Sequence, residues 1–104
     1  MRTALEEGMK VIFKEPGKNC EYRDIENTLQ AVQEAVGGYI ECVTIAEDIV
    51  IICNEEGRLK GLPYNCEAAG INFVGNILFV GADEADFTDV TVPIETIERL
   101  VITG

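Results

Sequence analysis

Residues 49–54 read IVIICN, and the first five of them are apolar without interruption. Successive side chains of a β-strand point to opposite faces, so a half-exposed strand alternates apolar with polar, whereas an unbroken apolar run needs cover on both sides. The run predicts a central strand with a layer above it and a layer below. Residues 71–74 and 76–80 (INFV, NILFV) have the same character and predict a second central strand, ended by Gly81. The β-branched run at residues 39–46 (YIECVTIA) precedes the first strand. Glu47-Asp48 joins the two at a spacing that predicts a tight hairpin.

One covering layer is legible in the helical period. Ile25, Leu29, Val32 and Val36 recur at intervals of four, three and four, while Glu26, Gln30, Gln33 and Glu34 lie elsewhere around the wheel. This predicts an amphipathic helix beginning near Glu26, with Leu29, Val32 and Val36 facing the core and Gly37-Gly38 closing it. Residues 9–14 (MKVIFK), ended by Pro16-Gly17, and residues 20–23 predict a first hairpin. Residues 58–60 (RLK) read as a short strand leaving the Glu55-Glu56-Gly57 turn, its two cations on one side and Leu59 on the other. Residues 61–65 read as irregular, residues 66–70 as one helical turn and residues 83–89 as an acidic loop. Residues 93–101 predict a short helix with Ile94, Ile97 and Val101 on one stripe and Pro93 in its first turn. The expected fold class is α+β: a single domain over residues 1–104, with a mainly antiparallel sheet of four or five strands, one main helix packed across it and a short C-terminal helix.

Composition narrows the chemistry. The chain has no histidine, serine or tryptophan, which excludes Ser-His and Cys-His nucleophiles, imidazole acid/base work and histidine-ligated metals. Among 19 acidic residues no pair is singled out for general acid/base catalysis, so the expectation is a protein that is not an enzyme. Cys20, Cys42, Cys53 and Cys66 form no C-x-x-C pair and read as reduced thiols used as small buried hydrophobes, with no metal and no cofactor. There is no 18-residue apolar run, and the N-terminus carries no basic stretch followed by an apolar one. A cytoplasmic protein without a membrane partner is expected.

The formal net charge is −11. Such a body repels phosphate backbones and attracts basic surfaces, so direct nucleic-acid binding is disfavoured. Two readings of the acidity stand: imitation of a phosphate backbone, or solubility alone. Asp83, Glu84, Asp86 and Asp89 could hold a hard cation but lack the glycine and glutamate positions of an EF-hand, so a solvated loop is expected there. The cations are more selective. Arg2, Lys10, Lys14, Lys18 and Arg23 fall in the first quarter and Arg99 near the end, leaving only Arg58 and Lys60 between Asp24 and Glu98. Beside Gly57 and Gly61 they could form an anion site, or they could neutralise Glu55 and Glu56.

The segments VGGYIE (36–41), NEEGRLKGLPYN (54–65), Gly75-Asn76 through Gly81 and Asp86-Phe87-Thr88, with the NTLQAVQEAVGG helix, resemble the DUF3846 family, a domain of unknown function. The resemblance covers nearly the whole chain. It implies a home in phages and mobile elements of bacteria and no particular activity. A small, acidic, non-catalytic protein in that setting suggests counter-defence, with two mechanisms. In one, a possible homo-oligomer sequesters a small, polar, nucleotide-derived immune signal. The candidate ligand-binding residues are Tyr39, Asn54, Glu55, Gly57, Arg58, Lys60, Gly61, Pro63, Tyr64 and Asn65, with Tyr39 or Tyr64 for stacking. In the other, the acidic surface occupies the nucleic-acid channel of a host defence protein, a restriction or CRISPR nuclease. A structural or regulatory binding role is the third possibility.

Overall fold

The computed structural model of the protein describes residues 8–83 and 86–103. The most completely buried strand is β4 (Ile49–Asn54), buried at all six positions. On one side β4 pairs antiparallel with β3 (Ile40–Ala46) through a two-residue turn at Glu47-Asp48, with a bulge between Thr44 and Ala46. On the other it pairs antiparallel with β7 (Ile77–Ala82). β7 in turn pairs with β1 (Gly8–Lys14), and β1 with β2 (Glu21–Glu26), which gives the order β2-β1-β7-β4-β3. The short β8 (Phe87–Thr88) adds to the far end of β7. A second antiparallel sheet places β5 (Tyr64–Ala68) between β6 (Ile71–Val74) and β9 (Val101–Ile102). Two helices complete the described chain, α1 (Leu29–Val36) and α2 (Ile94–Leu100).

The two-sided burial read from residues 49–53 has its cause in three layers. Ile49, Ile51 and Cys53 share one core with Ile12, Ile77 and Phe79, closed by Cys66, Ala68 and Phe73 of the small sheet and Ile97 of α2. Val50 and Ile52 point the other way, joining Met9, Val11, Phe13, Leu78 and Val80 beneath Val32 and Val36 of α1. Register holds each face together: Val43, Ile51, Phe79 and Ile12 form one row across four strands. Each fully buried side chain of that row contributes about 1.5 to 3 kcal/mol of transfer free energy. None of the described helices is long and apolar enough to cross a membrane.

The α+β class, the mainly antiparallel sheet and the packed helix are as the sequence predicts, while the strands are more numerous and divide between two sheets. The main helix starts at Leu29, because Ile25 and Glu26 are taken into β2 against Met9 and Gly8. Thr28 caps it by accepting from the Ala31 amide at 3.1 Å, and Gly37 ends it at φ 80°. Leu29, predicted to face the core, is 60% exposed, whereas Val32 and Val36 are buried. Residues 71–80 are two strands instead of one. Gly75, at φ 73°, turns the chain out of the small sheet and into the large one. Residues 66–70 are the end of β5 and a turn, not a helical turn, since Cys66, Glu67 and Ala68 pair with Phe73, Asn72 and Ile71. The C-terminal stripe is as predicted: Ile97 is buried, with Ile94 and Val101 packed on the same core.

Candidate functional site

β4 ends at Asn54, a buried amide that organises the loop after the strand. Its Nδ2 donates to the Val36 carbonyl at the end of α1 (3.1 Å), and its Oδ1 accepts from the Glu56 amide (2.8 Å). The chain then coils through residues 55–61 as consecutive turns. The Gly57 amide donates to Asn54, the Lys60 amide to Glu56, the Gly61 amide to Arg58 and the Leu62 amide to Gly57. Residues 58–60 are therefore not the short strand that their alternation suggests, and Arg58 and Lys60 diverge. Gly57 is required by proximity: a Cβ there would lie 2.9 Å from Val74 Cγ2 and 3.3 Å from the Asn54 carbonyl. Gly61 is required by its φ of +67°.

Arg58 faces a cleft of about 320 Å³ between the edge strands of the two sheets. One wall is Glu41 and Val43 of β3, the opposite wall is β6 from Ile71 to Val74, and Cys53, Asn54, Glu55 and Leu59 complete the lining. Arg58 Nη2 donates to the Asn72 carbonyl at 2.8 Å, and the Tyr64 hydroxyl donates to Asn72 Oδ1 at 3.2 Å. Leu59 stands 89% exposed at the same loop. Burial, with the Glu41 carboxylate adding to it, pushes the Cys53 thiol up to about 11, so it stays protonated at neutral pH and is a poor nucleophile. The lining offers one guanidinium, two carboxylates, amide groups and apolar surface. That inventory suits binding.

Lys60 lies on the other side of the loop, in a separate cleft of about 270 Å³ with Val36, Gly37, Leu62, Pro63 and Asn76. Its Nζ is 3.7 Å from Glu56 Oε1, both side chains being about half exposed. A pair so placed contributes at most about 1 kcal/mol. Neutralisation of a neighbouring carboxylate thus holds for Lys60, while one N–H of Arg58 donates to a backbone carbonyl.

The ten sequence-predicted ligand residues divide accordingly. Asn54, Glu55 and Arg58 line the first cleft; Asn54, Lys60 and Pro63 line the second; Gly57 and Gly61 shape the loop between them. Tyr39 lines neither. Its carbonyl accepts from the Glu55 amide and its ring is 66% exposed. Tyr64 is not in the lining; its hydroxyl donates to Asn72 and its backbone pairs with Val74. Asn65 is buried between the sheets, donating to the carbonyls of Lys14 (2.9 Å) and Gly75 (2.7 Å), and belongs to the scaffold. Sequence reasoning missed Glu41, Val43, Asn72, Phe73 and Val74. Glu41 and Val43 reach the cleft because β3 pairs with β4, and Asn72, Phe73 and Val74 because the chain changes sheets at Gly75, which places β6 beside the loop.

The described members of the acidic cluster accept from backbone amides. Asp83 Oδ1 accepts from the Asp86 amide, Asp86 Oδ1 from the Phe87 amide and Asp89 Oδ1 from the Lys10 amide. Glu84 lies outside the described residues, as does Arg2. Cys20, Cys53 and Cys66 are free and buried, whereas Cys42, also free, is exposed on the edge strand β3.

Comparison with known families finds one described as a domain of unknown function, DUF3846, whose model matches residues 9–101. No curated protein and no solved structure matches.

Proposed function

The chain belongs to the DUF3846 family, and from that premise we propose that it is a small non-catalytic accessory protein of a phage or mobile element, acting in counter-defence by sequestering a nucleotide-derived signal in the cleft beside Arg58. The observation that carries this reading is a guanidinium fixed at 2.8 Å by the Asn72 carbonyl in a cleft whose two walls bring the apolar side chains of Val43 and of Phe73 and Val74 together. A guanidinium has five N–H donors in a planar fork, so bonding Asn72 leaves donors for an oxyanion while a base lies on those apolar side chains. Lys60 is in the other cleft and takes no part. Glu41 and Glu55 accept from ribose hydroxyls or base amino groups and repel a polyphosphate, so the ligand that fits presents one anionic group. Calorimetric titration with mononucleotides and cyclic nucleotides tests this. Arg58→Ala weakens binding about tenfold or more, the worth of a charge-assisted hydrogen bond, and Lys60→Ala leaves it unchanged. A wild-type protein that gives no signal with any of these nucleotides overturns the reading.

A second reading, an acidic inhibitor that imitates nucleic acid against a host restriction or CRISPR nuclease, is favoured by a different observation. From Asp24 to Gly57 the chain has eight carboxylates and no cation. They are Asp24, Glu26, Glu34, Glu41, Glu47, Asp48, Glu55 and Glu56, of which all but the half-buried Glu56 are exposed, on β2, α1, β3 and the turns beside them. Lys18 and Arg23 pair with Glu15 and Glu21, outside this set, while Lys60 answers only the half-buried Glu56. In this case nuclease inhibition survives Arg58→Ala, and it falls when Glu41, Glu47 and Asp48 are neutralised together.

A further inference from the structure

Lys14 closes β1 two residues beyond Ile12, on the face of the large sheet that the small sheet covers, and it is 2% exposed. Its backbone is fixed by Asn65, which donates to its carbonyl at 2.9 Å. Its ammonium makes only one hydrogen bond among the described residues, a long one of 3.5 Å to the Glu15 carbonyl, and no ion pair. Burial raises the thiols of Cys20 and Cys66, and on each of them the Lys14 charge is the main opposing influence. A buried ammonium with donors to spare is stabilised by an anion that reaches it.

A route for one exists. Lys14 lines a cleft of about 170 Å³ with Lys18, Asn19 and Cys20 of the β1–β2 connection, Glu98 of α2, and Val101 and Thr103. Glu98 and Lys18 are exposed, and Glu98 forms no ion pair with either lysine. We propose that this cleft binds a small hydroxy- or amino-carboxylate, its carboxylate on the Lys14 ammonium and its hydroxyl or ammonium group toward Glu98. The size of the cleft suits a molecule of a few heavy atoms and not a nucleotide. One buried cation matches one negative charge, and the Glu98 carboxylate repels a second while accepting a hydrogen bond from the ligand. The site is separate from the Arg58 cleft and does not depend on that reading.

The test is a titration of the full chain with L-lactate, glycine, acetate and inorganic phosphate at constant ionic strength, following the amide resonances of Lys18, Asn19, Cys20 and Thr103. Lactate or glycine moves these signals saturably and more tightly than acetate or phosphate. Lys14→Met, which keeps the side-chain volume and removes the charge, weakens that binding about tenfold or more. Glu98→Gln, on the exposed rim, lessens the advantage of lactate over acetate and supplies an answer even if the lysine variant does not fold. The proposal is overturned if none of the four compounds shifts these signals saturably, if phosphate binds most tightly, if folded Lys14→Met binds as the wild type does, or if Glu98→Gln leaves the lactate preference intact.

Discussion

Leu29 and Val32 stand three residues apart on one short helix, yet Leu29 is 60% exposed and Val32 is 1% exposed. The two positions therefore differ in energy as they differ in burial. Val32→Ala removes two methyl groups from beneath the helix and lowers stability by about 1 to 3 kcal/mol. Leu29→Ala removes atoms already in water and changes it by less than about 0.5 kcal/mol. Urea unfolding of the two variants checks the pair, and a larger loss at Leu29 contradicts the packing described. Periodicity identified the stripe but not its end, because the point at which a helix leaves its sheet depends on where the sheet stops. The asparagines show the same boundary of legibility. Asn54 and Asn65 are read as ligand contacts because polar residues in a glycine-flanked loop usually face solvent; the structure gives each a second role in the scaffold, and Asn54 also lines both clefts. Both are buried and donate to backbone carbonyls, Asn54 to Val36 and Asn65 to Lys14 and Gly75.

Among the elements, those with two-sided burial were legible and those defined by partners were not. β4 and β7 announce themselves because a short apolar run bounded by turn residues suits a strand covered on both faces. β5 does not, since Cys66 to Gly70 is short enough to read equally as one helical turn, and pairing with β6 and β9 decides its conformation. The β5–β6 connection hides its own turn. Ala69 (φ 53°) and Gly70 (φ 78°) both lie in the left-handed region, the geometry of a two-residue hairpin turn that prefers Asn-Gly. Alanine there is strained, because its Cβ crowds the backbone in that conformation. Ala69→Asn keeps the turn and supplies the residue that tolerates it, so it raises stability by about 0.5 to 1 kcal/mol. Thermal unfolding of that variant is the check, and a lowered melting temperature means the turn is not of this kind.

On the scale of the whole molecule, the charge opposes the layers. Folding gathers a net charge of −11 into a body with a radius of gyration of 12.9 Å, whereas an unfolded chain of this length spreads the same charge over about 30 Å. Local pairs do little to relieve it. Lys18, Arg23 and Lys60 pair only with carboxylates beside them on partly exposed surface, and Lys14 is buried. Most of the repulsion therefore acts through solvent, where a Debye length of about 10 Å at 0.1 M salt screens it and a length of about 30 Å at 0.01 M does not. Raising sodium chloride from about 0.01 M to 0.5 M accordingly raises the melting temperature of the isolated protein. A flat or falling response means that the acidic groups are spaced widely enough to be independent, and it removes the physical basis for a concentrated acidic surface. The sign also separates the protein from its partner. If the acidic surface engages a basic channel, the salt that stabilises the free protein weakens the complex, so melting temperature and affinity move in opposite directions along one salt series. A small ligand held at Arg58 by a single charge on an apolar wall shows the first trend without a second of comparable steepness.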